Sequence, residues 1–288
     1  MRHHKSLDDP NIENSFCILI PFHHREDLLL PLLKHLKQFS TVVVDDGEVK
    51  RDWESWREVH PHVECVRSRG NSGFTTAVNI GLDRVETLGF RFVLILNDDA
   101  WLDVDGIQTL IQTAHPKRLV SPVIESKGVQ FYGVQIHSWG RVKLNQTPSN
   151  RVDALLGTCL LMPSQLRFDP KFHHGFEDLH LTMTSKRSGF ELVLAEDVIC
   201  THVGGASLDA NSLQGLRFSV YGHLCLYNSL SRSPLIWSLY LLRALFREES
   251  IGFRMKSIYA INYGVLDWFW SAMAARIASS KAGSNKIK

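Results

Sequence analysis

The 288-residue chain lacks most of the features that would place it in a specialised class. Its five cysteines, Cys17, Cys65, Cys159, Cys200 and Cys225, are scattered and odd in number, and none sits in a CxxC pair. That spacing offers neither a disulfide framework nor a zinc site, and thiols among apolar neighbours fit buried side chains in a reducing cytoplasm. No apolar run approaches the roughly 20 residues that a membrane-spanning helix needs. The longest near the C-terminus, Leu235 to Leu242, is closed off by Arg232 and Arg243. Neither sign of charge dominates: 32 Lys and Arg against 30 Asp and Glu leave +2, which gives no case for a nucleic-acid partner. The opening "MRHHKSLDDPNIENS" has a basic start but no apolar core, so it reads as a flexible leader over 1–15 and not as a secretory signal.

What is present is regular alternation. "FCILIP" (16–21), "TVVVDD" (41–46), "VECV" (63–66) and "RFVLIL" (91–96) are short, apolar and β-branched. Between them, Leu28, Leu29, Leu32, Leu33, Leu36 and Phe39 fall at helical spacing, with Pro31 expected in about the first turn. Gly73 to Val85 and Asp103 to Ala114 are helical in pattern as well. This βα alternation predicts an α/β fold with a parallel, doubly wound sheet, whose ligands bind outside the carboxyl ends of the strands. Short strands and turns are expected from Val129 to Met162, a helix from Glu177 to Phe190, and two strands in "ELVLA" and "VICTHV". After Ala210 the chain is helical in pattern. Its last residues, 279–288, read as a disordered basic tail.

Asn97-Asp98-Asp99 ends the fourth predicted strand with two adjacent carboxylates that must repel each other. Capping the next helix is one reason for such acids, but Asp103 and Asp105 are better placed for it. A divalent cation is the stronger reason, because hard oxygen ligands suit Mg²⁺ or Mn²⁺ and a cation removes the repulsion.

Five segments in order carry a resemblance: "VVVDDG", "NSGFTTAVNIGL", "LNDDA", "GTCLLM" with "FDPKFHHGFEDLHL", and "THVGGAS". Together they resemble the family 2 glycosyltransferases, inverting enzymes of the GT-A fold, including bacterial rhamnosyl- and galactosyl-type transferases of polysaccharide biosynthesis. The resemblance implies a Rossmann-like nucleotide-sugar-binding fold with a mainly parallel central sheet over 16–209, and a C-terminal helical extension over 210–278. It implies donor contacts from Pro21, Asp45, Asp46, Asn71, Gly73, Asn79 and Asp98, with Gly81 in the same segment. Asp99 and His202 fall where the family holds Mn²⁺ or Mg²⁺. Asp178, with Glu177 before it, matches the catalytic acidic pair, whose second carboxylate is the general base. Gly157, Phe176 and His180 fall on the acceptor side.

Two departures stand out. His180 and Thr184 replace the acid and arginine that commonly follow the acidic pair, and Glu48 replaces a small polar residue. His23, His24, His173 and His174 have no such match and read as loop histidines.

The implied activity is metal-dependent, inverting transfer from a nucleotide-diphosphate sugar to a hydroxyl of a glycan or lipid-linked acceptor. One alternative is a non-catalytic domain that binds glycan or nucleotide sugar, or a scaffold. Another is a sugar-phosphate nucleotidyltransferase, but its Gly-rich loop is missing from "IPFHHRED". The late helices mix large apolar residues with arginines, which suits packing on the core, a peripheral membrane contact or a homodimer seam.

Overall fold

The computed structural model describes residues 15–49, 51–137, 142–172, 175–203, 213–229 and 263–268. The leader, most of the C-terminal helical region, the basic tail, His173 and His174 lie outside the described residues. Element order is β1 (Phe16–Phe22), α1 (Glu26–His35), β2 (Thr41–Asp45), α2 (Trp53–Val59), β3 (Val63–Arg67), α3 (Phe74–Thr87), β4 (Phe92–Leu96), β5 (Ala100–Trp101) and α4 (Val104–Gln112). There follow β6 (Arg118–Ser126), β7 (Val129–Phe131), β8 (Val134–Ile136), β9 (Val142–Leu144), β10 (Cys159–Pro163), α5 (Glu177–Arg187), β11 (Glu191–His202) and α6 (Leu213–Ser229).

The main sheet runs β3-β2-β1-β4-β10-β6-β11-β5, with β7 on β6. Strands β3, β2, β1 and β4 are mutually parallel. The sheet is mixed, however, because β10 runs antiparallel to both β4 and β6. Alternation along β1 shows why it is central. Phe16, Ile18, Ile20 and Phe22 enter one core with Leu29, Leu32, Leu33 and Leu36, while Cys17 and Leu19 enter the other with Ala77, Val78 and Leu82. A strand buried on both faces is apolar throughout, which is how a parallel strand reads. Gly81 belongs to this packing. A Cβ there would lie 2.3 Å from Leu19 Cδ1 and 2.7 Å from Val44 Cγ2, so its lack of a side chain lets α3 close on the sheet.

One strand was not expected, and two expectations need correction. β6 is a nine-residue central strand that the sequence pattern does not announce, because Pro122 in its interior argues against one. The segments "ELVLA" and "VICTHV" form one strand, β11. Its register on β6 shifts between Ala195 and Ile199, opposite Pro122 and Val123, so Glu196 and Asp197 sit in a bulge where a turn looked natural. Pro31 lies in the second turn of α1 and not the first.

Candidate active site

The carboxyl ends of β1, β2 and β4 open on one edge of the sheet, where β5, the end of β11 and the start of α5 join them. Asp103 caps α4 by accepting the Gly106 N–H at 2.6 Å, which leaves Asp98 and Asp99 without that task. Asp99 is fixed by backbone pairing. Ala100 is paired with His202 in the β5–β11 ladder, and the Val203 N–H donates to the Asp99 carbonyl at 3.0 Å. That ladder brings Asp99 Oδ1 to 3.1 Å from His202 Nε2, across more than 100 residues of chain. Next to them Asn97 Oδ1 is buried with no hydrogen-bond partner among the described residues. Burial, and then the Asp99 charge, push the Asp98 carboxyl up to about 6, against the pull of the His23 backbone N–H, Arg25 and His23.

A hard carboxylate and an imidazole converging at hydrogen-bond distance, beside an unsatisfied oxygen and a strained second acid, fit a divalent cation. Among the described residues no three His, Cys, Asp or Glu side chains form a complete cage. Asp99 and His202 would therefore hold such an ion with most of its coordination left to ligand and water.

The other acidic pair, at the end of β2, is engaged differently. Asp45 is fully buried and takes the Gly47 N–H (3.0 Å), Arg51 Nη1 (2.9 Å), Trp53 Nε1 (2.9 Å) and Arg67 Nη1 (3.2 Å). It clamps the β2–α2 loop, with two donors on each of its oxygens. Asp46 reaches the start of α3. Its Oδ1 accepts from Ser68 Oγ, the Ser72 N–H (2.9 Å) and Ser72 Oγ (2.5 Å), and its Oδ2 from the Gly73 N–H (2.9 Å). Oδ2 keeps room for one more donor. Asn71 (φ 48°) and Gly73 (φ 87°) make the turn that carries these amides, and the Asn71 N–H donates to the Asp46 carbonyl.

Pro21 sits near the end of β1, level with Val44. Asn79 does not join the group. Its Nδ2 donates to the Phe168 carbonyl and its Oδ1 accepts the Phe168 N–H, both at 2.9 Å, so it pins the chain before α5.

On the acceptor side, β4–β10 pairing continues one residue past β4 through Asn97 N–H to Thr158 O at 3.0 Å. The next N–H, of Gly157, donates to Asp178 Oδ2 at 2.8 Å. A Cβ on Gly157 would lie 2.8 Å from Asp178 Cβ, so only glycine allows this docking. Burial raises the pKa of Asp178, opposed by the Gly157, Leu179 and Asp178 N–H groups. Glu177 is buried beside it, its carboxyl pushed up to about 8 by burial and by the Asp178 charge. Phe176 takes a left-handed φ of 71° at the mouth of α5, its ring 4.2 Å from that of His223 on α6. His180, one turn on, packs on Phe172, and burial lowers its pKa to about 4. It is a neutral imidazole where the resemblance would place an acid.

Sequence reasoning passed over His23 and Arg25. His23 Nδ1 lies 3.1 Å from the Asp46 carbonyl, and Arg25 is close enough for Asp98 and Asp99 to stabilise its charge. The available signal was position, since both immediately follow the carboxyl end of the first strand.

The family model described as glycosyl transferase family 2 matches residues 17–162. No curated protein sequence matches. Among solved structures, GalNAc-T7 with UDP, GalNAc and Mn²⁺ is similar at TM-score 0.56 and 13% identity, over 72% of this chain and 47% of that one. The S. aureus TarS fragment 1–349 with UDP-GlcNAc is similar at TM-score 0.54 and 14% identity, over 88% of this chain and 81% of that one. This chain thus spans about half the length of the GalNAc-T7 chain. At such identities the likeness concerns the fold, which is GT-A.

Proposed function

Because the chain belongs to glycosyl transferase family 2, we propose that it moves a sugar from a nucleotide-diphosphate donor to a hydroxyl of a glycan or lipid-linked acceptor, with inversion at the anomeric carbon. The observation that carries this reading is the convergence of Asp99 with His202 and of Asp178 with Gly157 on one sheet edge. Asp46 Oδ2, with a single donor, accepts an N–H of the base, and His23 borders the same recess. Asp98 faces the ribose. Asp99 and His202 would hold Mn²⁺ or Mg²⁺, which would supply positive charge for the departing diphosphate. Asp178 takes the proton of the acceptor hydroxyl as that oxygen attacks the anomeric carbon from the face opposite the diphosphate. Its backbone hydrogen bonds aim the carboxylate and keep it from turning away. Phe176 and His180 line the acceptor side as an apolar, uncharged wall. No helix among the described residues is long and apolar enough to cross a membrane.

Calorimetric titration with UDP in EDTA, Mg²⁺ and Mn²⁺ tests the donor half. UDP binds more tightly with Mn²⁺, and by linkage Mn²⁺ binds more tightly with UDP by the same factor. Equal affinity in EDTA and Mn²⁺ refutes the metal-bridged site. For the acceptor half, Asp178→Asn lowers transfer by on the order of 10²–10⁴-fold while UDP affinity stays at the wild-type value. Wild-type turnover in that variant would remove Asp178 as the base.

A further inference from the structure

Two carboxyl groups adjoin at the start of α5, and hydrogen bonding treats them unequally. Asp178 has both oxygens engaged, Oδ2 by the Gly157 N–H at 2.8 Å and Oδ1 by the Leu179 N–H at 2.7 Å. Both donors favour the ionised form. Glu177 is only 9% exposed, and its Oε2 has no hydrogen-bond partner among the described residues. An ionised carboxylate with an unsolvated oxygen is costly, whereas a neutral carboxyl group in the same place is not. The backbone N–H groups of Gly175 and Glu177 help the charged form, but burial and the Asp178 charge outweigh them.

The approach to α5 supports a built arrangement. Gly175 and Phe176 are both left-handed, with φ of 82° and 71°, and Phe176 is a residue that avoids this region without external support. That support comes from α6, where Gly222 is bare. A Cβ there would lie 2.4 Å from Phe176 Cδ2.

We propose that Glu177 is a positioning residue that keeps the single proton of the Glu177–Asp178 pair, so that the one negative charge needed for base catalysis stays on Asp178. The inference rests on the transferase reading of Asp178 and adds the device that fixes its charge. During transfer the acceptor O–H bond breaks and its proton joins Asp178. The acceptor oxygen bonds the anomeric carbon as the bond to the diphosphate breaks, and the electron pair leaves with the diphosphate. The Glu177 proton does not move. Afterwards Asp178 returns its proton to water.

Among the described residues the groups around Glu177 are few. Asp178 is the charge that faces it from its own helix. The neighbouring segment 154–157, Ala-Leu-Leu-Gly, carries no titratable side chain. From α6, His223 lies on the Phe176 ring, while Tyr221 and Cys225 pack on Phe172. Asp169 and Lys171 pair with each other and border His180.

The test is Glu177→Gln, which copies the neutral acid and cannot ionise. A carboxyl whose folded-state pKa is raised contributes stability at low pH that is lost as pH climbs through that pKa. The Tm of E177Q minus that of wild type therefore widens between about pH 5 and about pH 9, then levels off. A difference that stays flat overturns the proposal. In Asp178→Asn the repelling charge is gone, so the wild-type loss of Tm moves to lower pH, and an unmoved loss overturns the pairing. If E177Q does not fold, this second variant decides alone. With UDP-GlcNAc as donor, UDP release by wild type, each protein scaled to its own value at pH 7, falls above about pH 8 as Glu177 ionises and the pair becomes doubly charged, whereas E177Q, whatever its rate at pH 7, shows no such alkaline limb. The same alkaline fall in both proteins overturns the positioning role. No UDP release at any pH, together with a widening Tm difference, overturns the transferase reading alone.

Discussion

Asp45-Asp46 and Asp98-Asp99 are the same dipeptide at the same kind of place, the carboxyl end of a buried parallel strand, yet the fold uses them in opposite ways. Around Asp45 it supplies two guanidinium groups, an indole N–H and a backbone amide, so that the carboxylate is consumed by the protein itself. Around Asp98 and Asp99 it supplies the His202 and His23 imidazoles, the His23 backbone N–H, the charge of Arg25 and an amide oxygen with no hydrogen-bond partner among the described residues, and no guanidinium hydrogen bond to either acid is found among those residues. One pair is a finished clamp. The other is left short of positive charge, which is what a cation or a charged ligand complex would provide. The lesson is that a carboxylate's role is set by how many of its lone pairs the protein has already filled.

Breaking the clamp should have the largest effect. Asp45→Asn removes the anion shared by Arg51 and Arg67, leaves the nearly buried Arg51 with the half-exposed Glu26 as its ion-pair partner, and costs about 3 kcal/mol of stability, as removing one partner of a buried ion pair does. Urea unfolding with an unchanged slope would measure it, and a loss within error would mean that Asp45 is not the clamp. Next comes Asp99→Ala, which leaves folding nearly intact and removes on the order of 10-fold or more of the tightening of UDP by Mn²⁺. Retention of the full Mn²⁺ effect in that variant would contradict the role of Asp99.

Asp98→Asn should change stability in the direction opposite to Asp45→Asn. It relieves desolvation and the repulsion from Asp99, so the protein without metal gains on the order of 1 kcal/mol. Destabilisation by this substitution would erase the contrast between the two pairs. The smallest effect falls on His202→Ala, which weakens Mn²⁺ coupling a few-fold and leaves Mg²⁺ coupling less changed, because imidazole suits the transition metal better. Isothermal titration with each ion separates the two, and equal losses would count against a nitrogen ligand.

The amino-acid sequence by itself determined the parallel half of the sheet. Apolar β-branched runs alternate with helical leucine spacing, and both are local signals that depend on a few residues in a row. It also carried the ordered motifs that point to the family and to the roles proposed for Asp99, His202 and Asp178, since carboxylates and imidazoles in short motifs are chemically distinctive. Tertiary structure decided the rest. The antiparallel direction of β10 and the bulge of β11 depend on partners dozens of residues away, and Pro122 hid β6 because a missing N–H looks like a strand breaker until the bulge opposite is seen. Asn79 reads like a ligand contact until Phe168 is found to occupy both ends of its amide. His23 looks like an ordinary loop residue until β1 is placed between β2 and β4, beside both acidic pairs. Whether an acid is a clamp, a ligand or a proton holder is a matter of burial and of donors within about 3 Å, and those distances come into being only when remote segments pack.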